Sequence, residues 1–419
     1  MLFIKEIIAL LGQKLREVIM KSRFFAFILI VLMSVSFAFA QNRVKMEDYF
    51  DHGYFVTSSE DGAFKLWFDG RIMIDTGFFF GDDNNFANGT ETRRARISFK
   101  TIMYDNWAGE WDIDVADNEV EIKDFWMAYI GFDHVIIKLG NHKMPFSMEE
   151  VTSSRNIVFM ERALPNVFTS GRRIGLSVTK WADNWRIQAG FFGQEVGEGE
   201  EEGENEAWGY AARFTYEPVM EKGRIIHLGA SYQYLLPDAG SDDRIKFKQR
   251  PELHLTEKIL DTGKIKNVDD YSAYGVEFAG QFGALSWQAE YISQDVNRYD
   301  KPDASFDGYY VYVSYFITGE TRQWKKSEAE FGAVTPNSKK GALEVALRYS
   351  HLDLNDEDAD IWGGKEDNFT IGINYYFNEN IRFMMNYIFV NNDEYADGDG
   401  DFIGNDDFQI LAFRFQYLF

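Results

Sequence analysis

From about residue 63 to its last residue the chain alternates apolar and polar side chains with a period of two, in segment after segment. An extended backbone sends successive side chains to opposite faces, so each segment makes a strand with one apolar and one polar face. Leu343, Val345, Leu347 and Tyr349 lie opposite Glu344, Ala346, Arg348 and Ser350. Phe369, Ile371, Ile373, Tyr375 and Phe377 repeat the pattern, and Ile381, Phe383, Met385, Tyr387 and Phe389 resume it after the turn Asn378-Glu379-Asn380. Sixteen such segments can be traced. Aromatic residues make up 17% of the chain and Pro supplies only 7 residues, a balance that suits strands. The mean hydropathy of -0.33 reflects apolar and polar residues that interleave. Beyond residue 40 no apolar run approaches the ~18 residues of a membrane helix.

A soluble sandwich also alternates, so the connections must separate the two folds. Short turns at 105–106, 132–134, 182–184, 218–223, 282–284 and 378–380 take turns with longer polar links at 81–91, 141–170, 194–207, 237–270, 294–305, 355–365 and 392–405. Short turns at one end and long loops at the other are the pattern of a transmembrane barrel, and an even strand number puts both termini on the periplasmic side. The external link at 117–119 is unusually short and the internal link at 319–340 unusually long. At the carboxyl end Leu411, Phe413, Phe415, Tyr417 and Phe419 share one face. A terminal Phe closing an aromatic strand is similar to the signal read by the outer-membrane assembly machinery. The predicted fold is all-β: a transmembrane antiparallel barrel of sixteen strands surrounded by outer-membrane lipid, where only a closed sheet pairs every backbone group.

Lys21 and Arg23 precede an apolar run at 24–37, and Ala38-Phe39-Ala40 offers a cleavage site before Gln41. Residues 1–40 are therefore expected to be an amino-terminal extension plus signal peptide, with Met20 as the natural start. Residues 41–62 would form a short periplasmic segment and 63–419 the barrel. Cys is absent, which excludes a lipid-modified cysteine, disulfides and thiolate metal sites. The net charge is -24; removing residues 1–40 takes away five basic and two acidic groups and leaves -27. Nucleic acid is excluded as a partner on that charge.

Sorting charges by face gives a different balance from the total. Opposite the apolar stripes stand eleven basic groups (Arg71, Arg94, Arg96, Lys100, Lys138, Arg173, Arg186, Arg213, Arg348, Arg382 and Arg414) against eight acidic ones (Asp69, Asp75, Asp112, Asp114, Asp124, Glu277, Glu290 and Glu344). The surplus acid lies in loops, with seven Glu in 195–206 and five acids in 393–401. Asp397, Asp399 and Asp401 are spaced like weak Ca²⁺ ligands, but the Gly and distal Glu of a calcium loop are missing, and a solvated loop is the simpler reading. The 141–170 link carries Lys143, Arg155 and Arg162 with Glu149, Glu150 and Glu161, a mixed set suited to a constriction. Arg244, Lys246, Lys248 and Arg250 put four cations on one side of an extended segment. That comb serves equally well as an anion path or as a basic hairpin edge. The six His fall in no catalytic motif.

Several stretches, taken in order, resemble the phosphate-selective porin O and P family. They include Asp69-Gly70-Arg71-Ile72-Met73-Ile74-Asp75, Arg93-Arg94-Ala95-Arg96-Ile97, Gly140-Asn141-His142-Lys143-Met144-Pro145-Phe146, Met160-Glu161-Arg162, Gly319-Glu320-Thr321-Arg322 and Leu343-Glu344-Val345-Ala346-Leu347-Arg348-Tyr349-Ser350. The resemblance implies a homotrimeric channel with inward-folded loops and a ladder of Arg and Lys that passes small anions such as phosphate. It makes Arg93 and Arg94 pore arginines and the comb a cation ladder, and it accounts for the long internal link. Half of the comb is Lys, which lacks the fork that Arg offers phosphate, so the expected preference is weak. The function expected is passive diffusion without cofactor or catalysis, through Arg94, Arg96, Lys143, Arg162, Arg173 and the comb. The alternatives are a general non-selective porin, an outer-membrane barrel enzyme and an adhesive barrel. Leu347, Ile373 and Phe383 are expected to face lipid, and Ser350→Arg on the opposite face to be tolerated.

Overall fold

A computed structural model describes residues 46–51, 54–197, 207–238 and 241–419. The proposed cleavage site and most of the acidic stretch 195–206 lie outside them. Sixteen strands form the barrel: β1 (Phe64–Phe80), β2 (Gly89–Met103), β3 (Trp107–Asp114), β4 (Glu121–Phe132), β5 (Val135–Lys143), β6 (Arg172–Trp181), β7 (Trp185–Phe192), β8 (Gly209–Glu221), β9 (Arg224–Leu235), β10 (Val268–Phe282), β11 (Leu285–Arg298), β12 (Ala304–Phe316), β13 (Ala342–Asp356), β14 (Ile361–Tyr376), β15 (Ile381–Asn392) and β16 (Phe408–Leu418). Each pairs antiparallel with the next, and β16 pairs with β1 from Gln409↔Phe80 to Leu418↔Arg71, which closes the sheet. Two further strands, Met46–Asp51 and Tyr54–Ser59, form a hairpin that continues the sheet on the lower part of β1, from Phe55↔Phe68 to Ser58↔Lys65.

The seam is finished by the last residue. Phe419 and Gly70 exchange backbone hydrogen bonds of 2.7 and 3.1 Å. A side chain on Gly70 would begin 2.4 Å from the Phe419 ring, so the absence of one lets the ring settle there.

The outer surface carries the apolar stripes: Ile72, Ile74, Leu347, Phe383 and Phe415 are all exposed, as lipid-facing residues of a barrel are. The links at 294–305 and 355–365 are shorter than the polarity of the sequence predicts, shrinking to 299–303 and 357–360, because the flanking strands run on beyond the apolar belt. The turn expected at 218–223 is only two residues, Lys222-Gly223. Pro218 sits inside β8 at a register shift between Tyr216 and Val219, an irregularity that accommodates its missing N–H.

The lumen is far from empty. The third external loop, L3 (144–171), turns inward through a short helix α1 (Met148–Val151) and a 3-10 turn at Leu164–Phe168. L5 (236–267) crosses the mouth as a short hairpin, with Ile245 opposite Ile265 and Lys248 opposite Asp261. The internal link (317–341) folds upward from the other end. Phe168, Phe247, Leu260, Phe306, Leu352 and Ile361 form the largest apolar cluster, which fastens L3 and L5 to β12–β14.

Candidate functional site

The side of the lumen formed by β12–β16 is sealed by arginines that grip loop backbone. Arg382 donates to the carbonyls of Ile157 and Val158 at 2.9 and 3.0 Å, Arg348 to that of Glu161 at 2.9 Å, Arg322 in the link to that of Asn156 at 3.3 Å, and Arg414 to that of Met160. Buried carboxylates balance them: Glu344 for Arg322, Glu252 for Arg348 and Asp75 for Arg414. Buried carbonyls need donors and buried guanidiniums need acceptors, so each satisfies the other. The internal link is held likewise, with Arg186 donating to Ser327 O at 2.8 Å and Arg213 to Ala329 O at 3.0 Å. These inward arginines hold the filling in place, and all of them are buried.

Water reaches the opposite side. Lys100 and Glu110 keep 24% and 20% of their side-chain surface, Arg172 and Asp124 19% and 16%, and Arg93 19%, whereas Arg213, Arg348 and Arg414 keep 1% or less. The side chains left partly open to solvent inside the barrel therefore line the side between β2–β6 and L3, the candidate passage. L3 contributes Arg155, paired with Asp69 at 3.0 Å, together with Glu161 and Arg162. At the mouth, Ile245 and Phe247 face the apolar cluster while Arg244, Lys246, Lys248 and Arg250 lie on the other side of the strand.

A β-bulge shapes the part where L3 lies against β2. The register of β1 and β2 shifts between Met73↔Arg94 and Ile74↔Thr92, which leaves Arg93 as the extra residue. Strict alternation would send neighbours Arg93 and Arg94 to opposite faces. The bulge turns both inward. Both reach Glu161, Arg93 with two bonds of 2.8 and 3.0 Å and Arg94 at 3.6 Å.

The residues predicted for the site divide into four groups. Arg96 borders the passage, bonded to Asp114 at 2.8 Å. Lys143 and Arg162 reach the carbonyl end of α1, where Arg162 donates to Glu149 O at 2.9 Å and Glu150 O at 3.0 Å, and so hold the fold of L3. Arg173 is buried against Asp238 at 2.9 Å and fastens the start of L5. In the comb Lys246 pairs with Asp261 and Asp399 at 2.8 and 3.7 Å, and Arg244 with Asp242 at 3.5 Å. Lys248 is exposed and Arg250 donates to Thr256 O at 2.6 Å; neither pairs with an acid among the described residues. Lys258 joins them: burial, then the neighbouring Arg250 and Lys248, lower its ammonium below the ordinary lysine range. Lys258 was missed because it falls in no patterned run, and the water-facing Arg172 because alternation sets it opposite its neighbour Arg173. Asp397 accepts from Gly400 N and Asp399 pairs with Lys246, and among the described residues no group of acids or His gathers as a metal site. His142 bonds Ser177 Oγ at 2.7 Å, but its other nitrogen meets the Gly140 carbonyl where a catalytic pair would need an orienting carboxylate.

The family model of phosphate-selective porin O and P matches residues 67–419, the barrel and all three inward-folded segments. The chain belongs to that family. A relative, Porin O of Pseudomonas aeruginosa, is 27% identical over 407 residues, covering 87% of this chain and 90% of that one. An uncharacterised protein of Caulobacter vibrioides is 29% identical over 79% of this chain and 69% of its own. Among solved structures, the anion-selective porin of Comamonas acidovorans superposes with a TM-score of 0.56 at 12% identity, over 85% of this chain and all of that one. The trimer form of OmpT, an outer-membrane protein of Vibrio cholerae, gives 0.56 at 12% identity over the same shares. Family and barrel together place this porin in the bacterial outer membrane as a channel.

Proposed function

We propose that this porin is a passive channel for small hydrophilic solutes with a weak preference for anions, phosphate-like oxyanions among them. The observation that carries the reading is the charge of the water-accessible side. Arg93, Arg96, Lys100, Arg155, Arg162 and Arg172 face it against Glu110, Asp124, Glu150 and Glu161. Above them Lys248, Arg250 and Lys258 add positive charge at the mouth. The total of -27 lies largely on outer loops, and with a Debye length of about 8 Å at physiological ionic strength solvated loop acids act weakly at the centre. Charges in a narrow, partly desolvated passage are screened much less. The description of the family as phosphate-selective supports the class of solute. We further infer export after removal of residues 1–40, a short periplasmic segment at 41–62 ahead of the barrel at 63–419, assembly as a homotrimer, and no enzymatic activity.

The test is planar-bilayer conductance in a salt gradient. The parent should show discrete steps and a reversal potential on the anion side. Replacing Arg244, Lys246, Lys248 and Arg250 with Gln should shift that potential toward cations, with most of the shift reproduced by Lys248 and Arg250 alone. A cation-selective parent, or a comb variant with unaltered selectivity, would leave a general porin as the better description.

A further inference from the structure

Three guanidiniums converge on one carboxylate where L3 meets β2 and β16. Glu161 Oε1 accepts from Arg93 Nε at 2.8 Å and from Arg414 Nη2 at 2.6 Å, while Oε2 accepts from Arg93 Nη2 at 3.0 Å and lies 3.6 Å from Arg94 Nη2. Asp75 accepts from Arg414 Nε and Nη2 at 2.7 and 2.6 Å and shares Nη2 with Glu161. Three cations thus face two anions. Unlike Asp75, which is fully buried, Glu161 keeps 14% of its side-chain surface, and Arg93 beside it 19%. The pair looks onto water.

A carboxylate presents to a guanidinium fork the same edge of two oxygens that a phosphate or sulfate does. We propose that Glu161 is a tethered stand-in for the permeating oxyanion and sets the selectivity of the channel by occupying the slot that Arg93, Arg94 and Arg414 form. A solute oxyanion can use the slot only by displacing this carboxylate, which lowers the occupancy of the site and keeps the preference for anions weak. The inference rests on the anion reading above and adds the residue that tunes it. L3 does not depend on the Glu161 side chain for its place, because Arg348 holds the Glu161 carbonyl at 2.9 Å and Arg382 the Val158 carbonyl at 3.0 Å.

The experiment uses the purified full-length mature channel in planar bilayers, reading the reversal potential in a KCl gradient and the block of chloride current by inorganic phosphate. Glu161→Gln should move the reversal potential further to the anion side. Phosphate should block it at roughly tenfold lower concentration than the parent, the factor expected for one gained charge-assisted hydrogen bond. Glu161→Asp, which withdraws the carboxylate by one methylene, should shift both readings the same way by less, and carries the test if the Gln variant fails to assemble. Arg93→Gln should shift the reversal potential in the opposite direction. An anion-selective parent whose Glu161→Gln form keeps the parent's potential and phosphate sensitivity overturns the role of Glu161 alone. Shifts of one sign in both Glu161→Gln and Arg93→Gln would indicate a loosened loop and overturn it too. A cation-selective parent would instead overturn the reading of function.

Discussion

Leu347 and Arg348 are neighbours in the chain and live in different solvents. Leu347 is exposed on the outer surface, whereas Arg348 is buried between L3 and L5, bonded to Glu252 and stacked 4.4 Å from the Phe159 ring. Leu347→Arg should therefore cost about 2 to 4 kcal/mol if it sits near mid-bilayer, measurable as a lower urea midpoint for folding into lipid vesicles. Ser350 was expected to tolerate Arg because it faces inward. It does face inward, but its Oγ accepts the Leu164 N–H at 3.0 Å and no surface remains open to water. Ser350→Arg should block the docking of L3, seen as a changed channel conductance. The period of two is a property of the strand and fixes the side of each residue, which is why all nineteen inward charges read from alternation point inward. What stands opposite an inward residue depends on loops that carry no such period. For that reason the roles of Arg348, Arg382 and Arg414 in holding backbone, and of Glu252 in L5, were not legible.

Single elements decide where the passage lies. One extra residue in β2 turns Arg93 inward, and only the family resemblance pointed to it, since alternation argues against two adjacent inward side chains. The internal link fills the part of the lumen beside β7, β8 and β13. Replacing residues 321–337 by a short Gly-Ser turn should raise single-channel conductance, because Arg186 and Arg213 would lose their carbonyl partners there and water would take the space. Arg322 is the link's main fastening, with Glu344 and Asn156 as partners. Arg322→Ala leaves Glu344 as a buried unpaired charge and should cost about 3 to 5 kcal/mol, read from denaturant unfolding in lipid. An alteration that removes both charges, Arg322→Met with Glu344→Met, should recover a large part of that loss.

At the scale of the whole barrel, the sheet has one junction between the ends of the chain, and it is where stability depends on the most distant partners. Asp75 and Arg414 are 339 residues apart in sequence and join across it at 2.7 Å. Gly70→Val would meet the Phe419 ring and the Arg96 carbonyl, so it should lower the fraction of protein that reaches the heat-modifiable, folded form. Deleting Phe419 should do the same, and the two changes together should be little worse than either alone, since they break one contact. The same junction has a consequence in time. β16, which meets β1 at this junction, follows the other fifteen barrel strands in the sequence, so no nascent chain without it can complete the cylinder. Every intermediate before that moment keeps two unpaired strand edges, the kind of surface on which chains stick to one another. The order of synthesis thus makes transit to the membrane a period of enforced openness, with both edges bare until β16 reaches β1.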